Sequence, residues 1–198
     1  MTLLPAMDRR DVLKLGGAAA LALLAPAGGN AEAAVPVRSA ASMVALADPR
    51  YGDSVRFAES LRRQGAVPLM LASCRAGVWS DGVQPRLRTG VRYLTGLTLE
   101  SDLFVLERLA GGTGARTDYV GLHDWRCRQG SAHKLSGSID LDPIATALLA
   151  GKTLWAESLG QALASATGGD QNERRLDLDC AIPPGPRFFV SWRMGWTA

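Results

Sequence analysis

The chain has 198 residues and a formal net charge of +3, from 22 basic and 19 acidic side chains. Apart from Arg9 and Arg10, the arginines are spread from Arg38 to Arg193 and are not gathered into a block interleaved with aromatic residues, so the composition gives no support for nucleic-acid binding. The mildly basic balance is that of an ordinary solvated protein surface.

The N-terminal residues follow the order of an export signal. The pair Arg9 and Arg10 is followed by two apolar residues, by Lys14 and by the weakly hydrophobic run 15–24. This order resembles a twin-arginine (Tat) signal peptide, in which the paired arginines are read by the translocase. The run 15–24 is too short and too rich in glycine and alanine to stay in a bilayer as a helix, which needs about 20 strongly apolar residues. We therefore expect a cleaved signal and no permanent membrane span.

Two small-x-small motifs, at 25–27 and 31–33, are candidate cleavage sites. We favour the second, because it lies in a glycine- and alanine-rich segment that a peptidase can reach. The sequence then predicts a signal peptide over 1–33 and a single α/β domain over 34–198, whose length of about 165 residues is typical of one domain. The resemblance implies export in the folded state, the twin-arginine translocase as a partner during export, and a periplasmic location.

The mature part opens with the pattern of a βαβ unit. Residues 42–47 are an apolar run without a helical period, which predicts a buried strand. An amphipathic helix follows, capped by Asp53 or Ser54 and ended by Gly65, and 67–72 are predicted to be a second strand. Such a unit places its two strands parallel, with a right-handed crossover.

Further elements alternate along the middle of the chain. Residues 73–89 are predicted to be a long loop, with a peripheral hairpin or a short helix as the alternative. A third strand is predicted over 91–97, a helix over 98–110 that ends at a glycine pair, and a fourth, alternating strand over 116–123.

The last third combines polar stretches with two helices. The stretch 124–138 is polar and carries no predicted element, helices are expected over 142–149 and 153–164, and 167–175 are expected to be exposed. A further strand is predicted over 187–196, and its pattern allows it to be antiparallel. The order of elements predicts an α/β fold, a three-layer sandwich with a mostly parallel sheet.

The candidate binding site lies at the turns after the first and third strands, because ligands of parallel sheets bind outside the carboxyl ends of the strands. Asp48, Arg50 and Tyr51 lie in the first turn and Thr98 in the other. They offer a carboxylate, a guanidinium, a phenol and a hydroxyl beside two helix N-termini, which favour anionic groups. The alternative is that Asp48 and Thr98 only cap helices, Arg50 is solvated and Tyr51 packs.

Both histidines and one cysteine, His123, Cys127 and His133, occur close together in sequence. Two imidazoles and a thiolate are ligands for zinc or copper, but this spacing matches no established site and a fourth ligand is missing. We therefore predict no metal site and a structural or exposed role for these residues. Cys74, Cys127 and Cys180 contain no C-x-x-C pair, which leaves open either one disulfide or free buried thiols.

No sequence motif identifies a reaction or a cofactor. A nucleophile elbow, a Walker A sequence and a dinucleotide-binding glycine motif are all lacking. The sequence predicts a periplasmic protein, exported folded, that binds a small molecule or serves as an accessory to a protein partner. The alternative is a hydrolase or another enzyme with a site dispersed in sequence, built from Asp48, Arg50, Tyr51 and His123.

Overall fold

Seven strands pair into one mixed sheet in the computed structural model, which describes residues 42–71, 73–125, 131–178 and 188–196. In chain order they are β1 (Met43–Ala47), β2 (Val67–Met70), β3 (Tyr93–Thr98), β4 (Ala115–Asp124), β5 (Ser131–Ile139), β6 (Gly168–Leu178) and β7 (Phe188–Trp196). Their order across the sheet is β2-β1-β3-β7-β4-β5-β6.

The sheet is mostly antiparallel, which corrects the prediction of a mostly parallel one. Strand β1 is parallel to β2 and to β3. The other four neighbouring pairs, β3 with β7, β7 with β4, β4 with β5 and β5 with β6, are antiparallel. The antiparallel strand expected near the C-terminus is present as β7, in the middle of the sheet. The prediction of a mostly parallel sheet failed because β5 and β6 lie in polar segments without a strand pattern. Antiparallel neighbours also need no crossover helix, so the order of helices and strands does not indicate them.

Strands β5 and β6 occupy the two polar stretches that carry no predicted strand. β5 is paired on both sides, whereas β6 forms an edge of the sheet and is exposed over 168–175, as expected for that segment. Neighbouring strands supply the backbone hydrogen bonds of a polar strand, and charged side chains are typical of edge strands. An ion pair between Lys134 and Glu173, at 2.7 Å, joins the two strands.

The helices are α1 (Gly52–Arg63), α2 (Arg75–Gly77), α3 (Gln84–Arg88), α4 (Glu100–Gly111), α5 (Asp142–Gly151) and α6 (Trp155–Ser165), with a π-helical segment at Val78–Val83 and a 3₁₀ turn at Lys152–Leu154. The predicted long loop is therefore largely helical, as its short-helix alternative allowed. Within the described residues, no helix is long and apolar enough to cross a membrane.

The cap predicted for α1 is wrong. Tyr51 is the N-cap residue, in an extended conformation, and its side chain makes no capping hydrogen bond. Asp53 lies inside the first turn and pairs with Arg56 at 2.5 Å. The Ser54 hydroxyl accepts a hydrogen bond from the backbone N–H of Asp48 at 2.8 Å, so it fastens the turn after β1 and does not cap the helix.

The alternation of side chains along β1 divides the interior into two cores. Met43, Ala45 and Ala47 face a core shared with α1, α5 and α6. Val44 and Leu46 face a second core with α4 and the π-helical segment. Because successive strand residues point to opposite faces, one short apolar strand fills both cores. The described fold is thus an α/β sandwich with helices on both faces of the sheet.

The carboxyl ends of β1 and β3 lie side by side, at the position where α/β sheets commonly bind ligands. β1 lies between β2 and β3, and the helices that follow β1 and β3, α1 and α4, pack on opposite faces. The chain therefore reverses its winding direction at this point, and the two helix N-termini flank the two strand ends.

Candidate functional site

Asp48 and Arg50 form a bidentate ion pair in the turn after β1. Arg50 Nε lies 3.0 Å from Asp48 Oδ1, and Nη2 lies 2.6 Å from Oδ2. Asp48 is buried, whereas the Arg50 side chain is 56% exposed. Burial acts to raise the pKa of Asp48, but the hydrogen bonds from Arg50 outweigh it and leave the pKa below its ordinary value. Asp48 is therefore a carboxylate that orients Arg50, which stays charged and accessible.

Tyr51 connects this turn to the core. The Arg50 guanidinium lies 5.2 Å from the centre of the Tyr51 ring, within the range of a cation–π contact. The same ring packs edge-on against Phe189 at 5.5 Å. The structure thus brings Asp48, Arg50 and Tyr51 together, as the sequence predicts.

Thr98 lies at the end of β3 but is engaged elsewhere. Its hydroxyl is fully buried, accepts a hydrogen bond from the indole N–H of Trp192 at 3.0 Å and donates to the carbonyl of Leu99 at 3.1 Å. Leu99, not Thr98, is the N-cap residue of α4. Thr98 therefore neither caps the helix nor has a hydroxyl hydrogen free for a ligand.

A second ion pair lies near the ends of β1 and β3, and the sequence did not predict it. Arg75 donates to Asp102 Oδ1 from Nε at 2.9 Å and from Nη2 at 2.6 Å. The two pairs act on each other, because Arg75 helps to lower the pKa of Asp48 and Asp102 helps to raise the pKa of Arg50. An acidic residue in the first turn of α4 is a recognisable signal, but nothing in sequence joins Asp102 to an arginine 27 residues away.

Both helix N-termini beside the ends of β1 and β3 lack a side-chain cap. The N-cap residues are Tyr51 and Leu99, and neither side chain accepts a hydrogen bond from the first turn of its helix. Backbone N–H groups of α1 and α4 therefore have no side-chain acceptor from these positions. Helix N-termini in this condition favour an anionic group.

A chain of four buried polar side chains crosses the sheet at β4, β5 and β7. The Tyr119 hydroxyl lies 3.0 Å from Ser191 Oγ, and Ser191 Oγ lies 2.7 Å from His123 Nε2. His123 Nδ1 in turn lies 2.6 Å from His133 Nδ1. Each of the four side chains is almost completely buried, in the core that α1, α5 and α6 cover. His123 and His133 are therefore buried polar groups, and the exposed role considered for them is wrong.

Burial fixes the protonation of this network. Burial, and to a lesser degree His133, holds the pKa of His123 well below its ordinary value, and burial lowers the pKa of His133 to about 4. Both imidazoles are therefore neutral near pH 7. Burial raises the pKa of Tyr119, so its phenol keeps its proton.

The network allows two directions of donation. In the first, the Tyr119 hydroxyl donates to Ser191, Ser191 donates to His123 Nε2, and the Nδ1–H of His123 donates to Nδ1 of His133, so that His133 carries its own proton on Nε2, which is buried and has no hydrogen-bond partner among the described residues. The opposite direction frees Nε2 of that proton but leaves the phenol hydrogen of Tyr119 without a described acceptor, so each direction leaves one donor unpaired.

Gly121 lets the three polar groups meet. A Cβ atom at this position would lie 2.5 Å from Ser191 Oγ and 3.1 Å from His123 Nε2, and closer still to the Tyr119 hydroxyl. Any side chain here would separate the serine from the imidazole. The alternating pattern of β4 predicts that 119, 121 and 123 share a face, but the serine 68 residues from His123 has no sequence signal.

Aromatic rings enclose the imidazole pair. Trp155 lies 5.1 Å from the His123 ring and 6.1 Å from the His133 ring, and Trp125 lies 5.1 Å from His133. Trp155 also contacts Phe189 at 6.3 Å. The indole N–H of Trp155 is buried without a hydrogen-bond partner among the described residues.

The structure describes some of the residues in the cysteine and metal predictions. Cys74 is exposed and unbridged, so it is not a buried thiol, and its Sγ lies 3.4 Å from the backbone nitrogen of Gly77. Cys127 and Cys180 lie outside the described residues. Within the described ranges, no group of three or more histidine, cysteine or acidic side chains is arranged to hold a metal ion.

Comparisons with protein-family models, with curated protein sequences and with solved structures give no match.

Proposed function

We propose that this chain is an exported protein that binds a small molecule with an anionic group at the carboxyl ends of β1 and β3. The observation that carries the proposal is the oriented, accessible Arg50, held by buried Asp48 beside two helix N-termini without side-chain caps. Tyr51 supplies a ring next to the guanidinium. Arg75 is paired with Asp102, which limits the repulsion that this carboxylate would exert on an anion.

Binding is tested with a panel of small carboxylates, sulfonates and phosphate esters. We expect at least one class to raise the melting temperature, because a ligand that binds only the folded state stabilises it. Arg50→Ala should weaken the affinity for that class by about 10- to 100-fold, as expected for a lost charge-assisted hydrogen bond, measured by isothermal titration calorimetry. Arg50→Lys keeps the charge and should lose less.

The matched control is Arg175→Ala, which removes an exposed arginine of the β6 edge. It should leave the affinity unchanged. Equal losses in both variants would indicate a nonspecific charge effect and contradict the site. A panel in which no compound binds the folded protein would contradict the proposal as a whole.

Export rests on the N-terminal sequence, whose residues lie outside the described part of the chain. We propose that the twin-arginine translocase carries the folded protein to the periplasm. Replacing Arg9 and Arg10 by lysine should leave the precursor in the cytoplasm, because the pair is the element that the translocase reads. Fractionation followed by immunoblotting measures this outcome, and Lys14→Arg is the control. Normal export of the double-lysine form would eliminate the twin-arginine proposal.

An accessory role would require a protein partner in the periplasm. Native mass spectrometry of protein recovered from periplasm reports a bound small molecule and a bound protein in one measurement. A stoichiometric protein partner in place of a small molecule would favour the accessory role over the binding site proposed above.

A further inference from the structure

We propose that Ser191 is the nucleophile of a second site, which hydrolyses small aryl esters with His123 as the general base and His133 as its positioning residue. This site lies in the core under α5 and α6 and uses none of the charged residues at the ends of β1 and β3. It is also distinct from an enzyme built on Asp48, Arg50 and Tyr51.

The serine and the imidazoles have the geometry of a nucleophile and its base. Ser191 Oγ and His123 Nε2 are 2.7 Å apart, within the range in which a base takes the proton of a nucleophile. The other nitrogen of His123 is held by His133 at 2.6 Å. A base oriented by a third group is the arrangement of a catalytic triad, here with an imidazole in the place usually taken by a carboxylate.

A hydrogen-bond donor lies beside the nucleophile. The neutral Tyr119 hydroxyl lies 3.0 Å from Ser191 Oγ, where it can donate to the oxyanion that forms when the serine attacks a carbonyl carbon. Gly121 keeps the space between the phenol, the serine and the imidazole free of a Cβ atom. The aromatic rings of Trp125, Trp155 and Phe189 form an apolar surround that suits an aryl group.

The reaction balances with water as the co-reactant. Ser191 Oγ bonds to the carbonyl carbon of the ester while His123 Nε2 takes the serine proton, and the Tyr119 hydroxyl stabilises the oxyanion. The bond between the carbonyl carbon and the aryloxy oxygen then breaks, and His123 gives the proton to the leaving phenolate. Water attacks the acyl-serine with its proton passing to His123, which gives it back to Ser191. The products are the carboxylic acid and the phenol.

Ser191 is fully buried, so a substrate reaches it only if the side chains above it move. Trp155 covers both imidazoles, and it follows the turn at Lys152, whose φ of 40° and ψ of −110° are strained for a residue with a side chain. The proposed site opens by a rotation at Lys152, which would relax its backbone and withdraw Trp155 from the imidazoles so that a substrate can reach Ser191.

The test uses the full chain, a fluorophosphonate that reacts with activated serines, and p-nitrophenyl acetate as the ester. We expect peptide mapping of the folded wild-type protein to place the phosphonyl label on Ser191. Ser191→Ala should lose the label and reduce ester hydrolysis by about 100-fold or more, and Tyr119→Phe should slow hydrolysis by about 100-fold, as for a lost oxyanion donor.

Ser136→Ala is the matched control, since this serine also lies on a strand of the sheet. Its hydroxyl donates a long hydrogen bond to the Val120 carbonyl, at 3.4 Å, and not to an imidazole. It should keep both the label and the activity. His123→Asn retains a hydrogen-bonding side chain and loses the base, so it should lose the label while near-ultraviolet circular dichroism stays native. Wild-type mapping needs no variant to fold: a folded wild-type protein without label on Ser191 would overturn the proposal.

Discussion

Lowering the pH from about 7.5 to about 4.5 is expected to reduce the free energy of unfolding by about 2.5 kcal/mol through His133 alone, with a further loss through His123, because the folded protein holds both imidazoles neutral. Burial lowers the pKa of His133 from 6.5 to about 4, and the pKa of His123 is lowered in the same direction. Between these values the unfolded chain binds protons that the folded chain cannot bind. The contribution of the two imidazoles to stability is therefore complete above about pH 6.5 and falls as the pH decreases. The loss from His133 levels off near pH 4, where its folded form protonates, whereas the loss from His123 continues below that pH.

Urea denaturation at a series of pH values measures this loss. The pH range in which the imidazoles reduce stability lies above the range in which Asp48 does. The pKa of Asp48 is lowered from an ordinary value of 3.8, so the loss of its charge destabilises the protein only below about pH 4. In the double variant His123→Gln and His133→Gln, stability at pH 7.5 should be lower but nearly constant down to pH 5. A wild-type protein whose free energy of unfolding changes by less than about 0.5 kcal/mol over that range would contradict neutral buried imidazoles.

Asp118→Ala is expected to cost about 3 kcal/mol of stability, because it leaves a buried guanidinium without its carboxylate. Arg193 Nη2 lies 2.9 Å and Nε 3.0 Å from the Asp118 oxygens, and the Arg193 side chain is only 5% exposed. Among the described residues, the guanidinium of Arg193 also donates a hydrogen bond to the Ala166 carbonyl at 3.0 Å and lies 4.9 Å from the centre of the Tyr93 ring. Neither supplies a countercharge.

Two comparisons separate this effect from a general loss of charge. Asp177→Ala breaks an exposed pair with Arg175 on the sheet edge and should cost less than about 1 kcal/mol. Replacing both members of the buried pair, as Asp118→Leu with Arg193→Met, should cost less than Asp118→Ala alone, because no charge is left buried. Denaturation midpoints in urea decide the order, and equal costs for Asp118→Ala and Asp177→Ala would refute the argument.

The elements that the sequence predicts correctly carry their signal locally. The apolar run of β1, the amphipathic pattern of α1 and the helical period of α4 reflect which residues face a core. Hydrophobic periodicity of this kind is visible within a window of one element. The placement of Asp48, Arg50 and Tyr51 in one turn beside α1 follows from the same local reading.

The direction of strand pairing could not be read from the sequence. β5 and β6 are polar on much of their length, and their extended conformation is held by hydrogen bonds to neighbouring strands. Such bonds depend on residues distant in sequence, and a strand between a helix and a hairpin carries no mark of its orientation. Parallel pairing is present only among β2, β1 and β3, and the prediction wrongly extended it to the rest of the sheet.

The sequence by itself determined the α/β class, the order of most helices and strands, and the resemblance of residues 8–24 to an export signal, since each depends on residue types at short spacing. The tertiary structure alone decided that β7 enters the middle of the sheet, that Arg75 meets Asp102, and that Ser191 meets His123. The physical reason is the range of the interactions: periodic burial acts over one turn or one strand, whereas ion pairs and buried hydrogen bonds join atoms that only the folded chain brings within 3 Å.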